Sequence, residues 1–120
     1  MKVSITMKQY IVLYSAPLTA AERFAQATPE QAQQGMQDWF NWKEKFGAGV
    51  VDLGKQLGNA VKVTSTGVTK SDSTIVGMSI LQADSMDEAL GMVKDHHHLH
   101  WAEGAEITVL EEMPIPEMQA

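Results

Sequence analysis

The segment Asp95-His96-His97-His98-Leu99-His100-Trp101 holds all four histidines of the chain within five positions. Histidine is the side chain whose ordinary pKa, about 6.5, lies nearest neutrality. An imidazole therefore serves as acid, base or neutral metal ligand without a large change of environment. Three kinds of chemistry fit such a cluster. Imidazoles at a helix end can sit in solvent and cap carbonyls. One or two can act as acid and base inside a pocket. His96 and His100 share a face if the helix runs on through Leu99, and neutral imidazoles at that spacing bind zinc or nickel. No HExxH-type carboxylate accompanies them, so no metal and no other cofactor is assigned.

Asp52 is the second candidate. It interrupts the apolar run Val50-Val51-Asp52-Leu53 just before a glycine. A buried carboxylate is costly unless it is paired. Asp52 is therefore either a loop cap at a strand end or the partner that fixes a histidine tautomer. Trp39, Trp42, Trp101, Tyr10 and Tyr14 are aromatic residues that could wall an apolar pocket. Gly47-Ala48-Gly49 and the stretch from Gly54 to Gly58 lack the Lys-Ser/Thr ending of a phosphate loop.

Elements that position these residues follow from periodicity and caps. Lys8 to Tyr14 alternates as a strand with Tyr10, Val12 and Tyr14 on one face and Ile11 and Leu13 on the other. Both faces are apolar, which predicts a central strand ended by Pro17. Thr19-Ala20-Ala21-Glu22 has capping-box spacing and predicts a short helical turn. Thr28-Pro29-Glu30-Gln31 combines an N-cap, a proline at the first helical position and a capping glutamine. The following helix carries Ala32, Met36, Trp39, Phe40, Lys43 and Phe46 as one stripe, widened by Trp42, and closes at Gly47 and Gly49. Val50 to Leu53 reads as an extra short strand, Gly54 and Gly58 as the brackets of a loop, and Val61 to Thr66 as a half-exposed strand. A polar turn is predicted for Thr69 to Ser73. Thr74 to Leu81 is a strand in which Gly77 marks a bulge or a close backbone approach. Ser85-Met86-Asp87-Glu88 is a second capping box, opening a helix that buries Met86, Ala89, Leu90 and Val93. Its C-terminal end meets the histidines, where the helix dipole favours a protonated imidazole. Ile107 to Leu110 is the last strand, terminated by Pro114 and Pro116.

The order strand, helix, strand, strand, helix, strand is the ferredoxin-like split pattern, an α+β fold. Both helices then cover one face of a four-stranded sheet. The apolar residues left on the other face predict a homodimer whose sheets pack face to face.

Several segments resemble the YCII-related family, which includes the DGPF-type proteins. They are Met7-Lys8-Gln9-Tyr10, Trp39-Phe40-Asn41-Trp42, Val51-Asp52-Leu53-Gly54, the run from Gly77 to Ala89, and the ending from Gly104 to Pro114. The resemblance spans about residues 7 to 116. It implies a dimeric α+β barrel, and a pocket with a histidine and an aspartate as acid/base partners. The Asp-Gly-Pro-Phe motif itself is missing, and Ser71-Asp72-Ser73 stands near its place. A related subgroup carries His-Pro-His-Leu after the second helix, so His96, His98 and Leu99 match while His97 replaces the proline. The expected site is therefore His98 with Asp52 on one wall of a pocket between sheet and helices, and His96 nearby. An opposite charge there would raise the pKa of His98.

Composition limits the rest. A chain of 120 residues, 44% hydrophobic and 20% charged, is expected to form one globular domain over 1–120, with residues 1–6 and 117–120 as flexible ends. Met7-Lys8 is itself a plausible translation start. The net charge of −6 argues against nucleic acid and against an anionic membrane surface. There is no cysteine, so no disulfide, thiolate metal site or cysteine nucleophile exists. No run approaches the roughly 20 apolar residues of a membrane helix. Ser15-Ala16-Pro17 and Thr19-Ala20-Ala21 faintly resemble a cleavage region, but the preceding apolar run is too short and too aromatic for a signal peptide. The expectation is a cytoplasmic homodimer handling a small metabolite. It is either an enzyme using histidine and aspartate acid–base chemistry or a non-catalytic binding module.

Overall fold

A computed structural model describes residues 7–17, 22 and 26–113. Strand β1 (Lys8–Ser15) is central, as its two apolar faces require. Tyr10, Val12 and Tyr14 are at most 1% exposed, while Ile11 and Leu13 are half-buried on the opposite face. β1 pairs antiparallel with β5 (Ile75–Ala83) on one side and with β6 (Glu106–Glu111) on the other. β2 (Val50–Gln56) flanks β5, giving the order β2-β5-β1-β6.

Helices α1 (Pro29–Phe46) and α2 (Met86–Val93) cover the Tyr10–Val12–Tyr14 face. Trp42, Ala89, Met92 and Val93 join Val50, Leu81 and Ala83 in that core. Each large side chain buried there contributes about 1.5–3 kcal/mol. Leaving aside a two-stranded insertion between β2 and β5, the main elements run β1, α1, β2, β5, α2, β6. This order, with the antiparallel strand order, is compatible with the ferredoxin-like α+β pattern. Ile11 pairs with Ile80 and Leu110, and Leu13 with Met78 and Thr108. These residues share the face away from both helices.

The caps form largely as their residues dictate. Thr28 accepts from Gln31 N at 3.1 Å, and Gln31 Oε1 accepts from Thr28 N at 2.9 Å. Ser85 accepts from Glu88 N at 3.2 Å, but the Glu88 carboxylate reaches Asp84 N at 2.8 Å, one residue before the predicted box partner. The buried stripe of α1 is Trp42 flanked by Trp39 and Phe46. Met36 and Phe40 are 46% and 51% exposed, and Ala32 and Lys43 are exposed too. On α2, Met92 is buried where Leu90 was expected, and Leu90 is exposed.

The middle of the chain differs most from its sequence reading. Val50 to Leu53, the supposed extra strand, is the start of the sheet member β2. Val61 to Thr66 does not join the main sheet. It contributes β3 (Val61–Thr64), which pairs only with β4 (Gly67–Lys70) in a separate hairpin. Part of the predicted polar turn Thr69 to Ser73 is thus a strand. Gly54 lies inside β2 rather than in a loop, at a register irregularity between Asp52 and Lys55. Its φ of +107° and the position of Met78 O, 1.6 Å from where a Cβ would stand, require glycine. Gly77 does mark a close approach, with Lys55 O 3.2 Å from a notional Cβ. The β1–β5 register shifts just beyond it.

Three expectations lie outside the described residues: the turn at Thr19 to Ala21, the stop at Pro114 and Pro116, and the two flexible ends. No helix among the described residues is long and apolar enough to cross a membrane.

Candidate functional site

The α2 helix stops at Val93 instead of running on to Leu99. His96 N donates to Val93 O at 3.0 Å, and the chain then enters a 3₁₀ turn, His97–His100. His96 is the N-cap of that turn. Its Nδ1 accepts from His98 N at 3.0 Å. This bond decides the tautomer: a lone pair at Nδ1 leaves the proton on Nε2. That nitrogen lies 3.4 Å from Tyr14 Oη. Tyr14 Oη donates to Ser79 Oγ at 2.8 Å, and Ser79 Oγ donates to Leu53 O at 2.6 Å. The sense of the chain is therefore His96 to Tyr14 to Ser79 to the β2 backbone, with each hydroxyl used as both acceptor and donor.

Aromatic rings enclose this chain. His96 lies 4.9 Å from Trp39 and 4.6 Å from Trp42 between ring centroids, and stacks on His97 at 4.1 Å. Trp42 is itself anchored, its Nε1 donating to Met92 O at 2.8 Å. Burial dominates the electrostatics. The His96 pKa is pushed down to about 3, first by desolvation and then by its histidine neighbours. Burial raises the Tyr14 pKa, against the opposing effect of its bond to Ser79. The expected protonated imidazole at the helix end is thus not what this site favours. Desolvation of a buried imidazole outweighs a dipole effect of about 0.3–1 kcal/mol.

His98 is also buried, and its Nε2 lies 2.8 Å from Ser15 O. Since a carbonyl only accepts, Nε2 carries a proton. Burial lowers its pKa, and hydrogen bonding to the Ser15 and Glu106 carbonyls partly offsets this. His98 ties the 3₁₀ turn to the ends of β1 and β6. Trp101 stacks beyond it at 5.7 Å.

Asp52 is elsewhere. Its Oδ1 accepts from Gly54 N at 2.8 Å. Its cross-strand partner is Ile80, a residue of the helix-free face, whereas the histidines pack against Tyr14 on the helix face. Among the described residues, no hydrogen bond or ion pair joins Asp52 to His98 or His96. Within the chain the expected pairing is not formed; Asp52 instead binds the backbone of Gly54 at the irregularity inside β2. His96 and His98 do come together, through the backbone N–H of one and the ring of the other. Among the described residues, no group of three or more histidines and carboxylates is placed to hold a metal ion.

No protein-family model matches the chain, and no curated protein matches it. The chemistry must therefore be argued from the side chains alone.

His97 stands out on that basis. Its Nε2 is buried and has no hydrogen-bond partner. Its ring meets Trp39 edge-on at 4.6 Å. Burial lowers its pKa, and the Asp38 charge opposes that shift. His97 also lines a cleft of about 190 Å³ between the end of α1 and the end of α2, with Asn41, Lys45, Phe46, Met92 and Asp95. Sequence reasoning set His97 aside as the residue out of pattern, and missed Ser79 altogether. The only signal for Ser79 was a hydroxyl on an otherwise apolar strand face.

Proposed function

We propose that this protein is a small enzyme performing histidine acid–base chemistry on a small metabolite, with His97 as the group that exchanges the proton. One observation carries the reading: the His97 ring lines a cleft while its Nε2 is buried without a partner. An unpaired buried polar atom costs free energy, so a ligand group that pairs with it has reason to bind there. Pockets for drug-sized ligands measure roughly 300–1,000 Å³, so a cleft of about 190 Å³ fits a molecule of few heavy atoms. Lys45 and Asp95 offer it one charge of each sign, and Phe46 and Met92 an apolar wall. His96 and His98 then position His97 rather than react. We further propose a cytoplasmic homodimer of YCII-related, α+β barrel type, formed through the helix-free sheet face. The half-buried Ile11, Leu13, Met78 and Ile80 support it.

The test is a thermal-shift screen of small metabolites, followed by NMR observation of turnover or deuterium exchange into each ligand found. Wild type should catalyse exchange, and His97→Gln should lose at least about a hundredfold in rate, the lower end of a general acid–base effect. If no ligand binds or exchanges in a His97-dependent way, the reading fails. The second reading, a non-catalytic binding module, is favoured by the commitment of His96 and His98 to internal bonds. It predicts ligands that bind without exchange in either protein.

A further inference from the structure

The β3–β4 hairpin is an insertion whose strands pair only with each other. All four residues of each strand are exposed. Its register is Val61↔Lys70 and Val63↔Val68, which places Val61, Val63 and Val68 on one face together with Lys70. The three valines are 60%, 74% and 65% exposed. An isolated two-stranded hairpin is at best marginally stable in water, and a contiguous β-branched face on it asks for a cover.

Charge indicates which cover. Residues 53–71 contain Lys55, Lys62 and Lys70 and no acid, in a chain of net charge −6. Residues 103–112, which include β6, contain Glu103, Glu106, Glu111 and Glu112 and no base. β6 is an edge strand. Its Leu110 is 47% exposed and belongs to the helix-free face beside Ile11. The chain therefore carries both halves of one complementary contact: a basic arm with an apolar face, and an acidic edge with an apolar face.

We infer that the β3–β4 hairpin is an arm that grips a second copy of this chain, laying its valine face on that copy's sheet at the β6 edge; Lys70 beside the valines meets the glutamates, and Lys62 on the other face adds to the arm's positive charge. This rests on the homodimer reading above and adds to it. In a two-fold dimer the contact occurs twice, arm to edge in both directions. That doubling gives the test its form.

Sedimentation equilibrium at low and high salt would be run on wild type, K62E/K70E, E106K/E112K, an equal mixture of the two variants, and Leu13→Lys. Wild type should dimerise, more weakly in high salt. Each charge-reversed variant should associate at least tenfold more weakly, because both contacts become repulsive. The mixture should regain wild-type affinity as a heterodimer, since both of its contacts are again attractive. Circular dichroism checks that each variant is folded. If the reversed variants dimerise like wild type, or the mixture shows no recovery, the arm is wrong. Loss of the dimer in Leu13→Lys would then leave the sheet-face reading standing. A monomeric wild type at 100 μM (about a hundredfold above a micromolar Kd) overturns both.

Discussion

His96 owes its state to what its two ring nitrogens face. One accepts a backbone N–H and the other points at the Tyr14 hydroxyl, so adding a proton would break the first bond and put a charge among tryptophans. The folded pKa of about 3 lies well below the ordinary 6.5. Between those values the unfolded chain binds a proton that the folded chain refuses. Stability is therefore full above pH 6.5 and falls as the pH drops toward 3. The slope is up to about 1.4 kcal/mol per pH unit for each such histidine. His97 and His98 are shifted in the same direction. Urea denaturation should show a clearly lower midpoint at pH 5 than at pH 7.5, and equal midpoints would contradict the buried neutral imidazoles. Asp52 leads to a second expectation. Because it caps Gly54 and not a histidine, Asp52→Ala should cost about 1 kcal/mol and leave the NMR titration of His98 unmoved. A downward shift of about half a unit or more would put a carboxylate back beside that ring.

The elements depend on a few backbone positions more than on propensity. Gly54→Ala combines a left-handed φ of +107° with a Cβ placed 1.6 Å from Met78 O. The two strands would have to separate at the point where Ser79 reaches the Leu53 carbonyl. The expected cost exceeds about 4 kcal/mol, the range of exceptional single substitutions, and the variant should be largely unfolded by circular dichroism. Gly58→Ala is the control, since nothing lies within 4 Å of its added Cβ. It should be neutral, or stabilising by up to about 1 kcal/mol. Similar melting of both variants would show that β2 does not hold this irregularity. Removing a helix cap should be milder than Gly54→Ala, about 1 kcal/mol for Thr28→Ala, because α1 is also held by Trp42.

At the scale of the whole molecule, the two sheet faces differ in what covers them. Tyr10, Val12 and Tyr14 lie under two helices; Ile11, Leu13, Met78 and Ile80 lie under none of the described elements. A second copy would bury that face and complete a two-sided sheet. Light scattering should give the mass of two chains for wild type and of one chain for Leu13→Lys, with the near-ultraviolet dichroism of the variant unchanged. A charge at Leu13 has no route to solvent once a second sheet lies over it. A single-chain mass for wild type at about 100 μM, a hundredfold above a micromolar Kd, would exclude the face-to-face dimer.

What could be read from the sequence was what neighbouring residues settle among themselves. Thr28 and Gln31 build their box from three residues of separation. Tyr10 to Tyr14 announces a central strand by carrying apolar side chains on both faces, and the element order follows from such local signals. The candidate segment was equally plain, because four histidines stand together. Tertiary structure decided which strand entered the sheet, since Val50–Gln56 and Val61–Thr64 are both β-compatible and only pairing with β5 chooses between them. It decided the direction of Asp52, because an irregularity of one residue changes the face on which a side chain stands. It also decided which histidine has a nitrogen to spare. That depends on Tyr14, Ser15, Ser79 and Glu106, contacts from 8 to 83 residues away in the chain, and no local pattern encodes where such partners will lie.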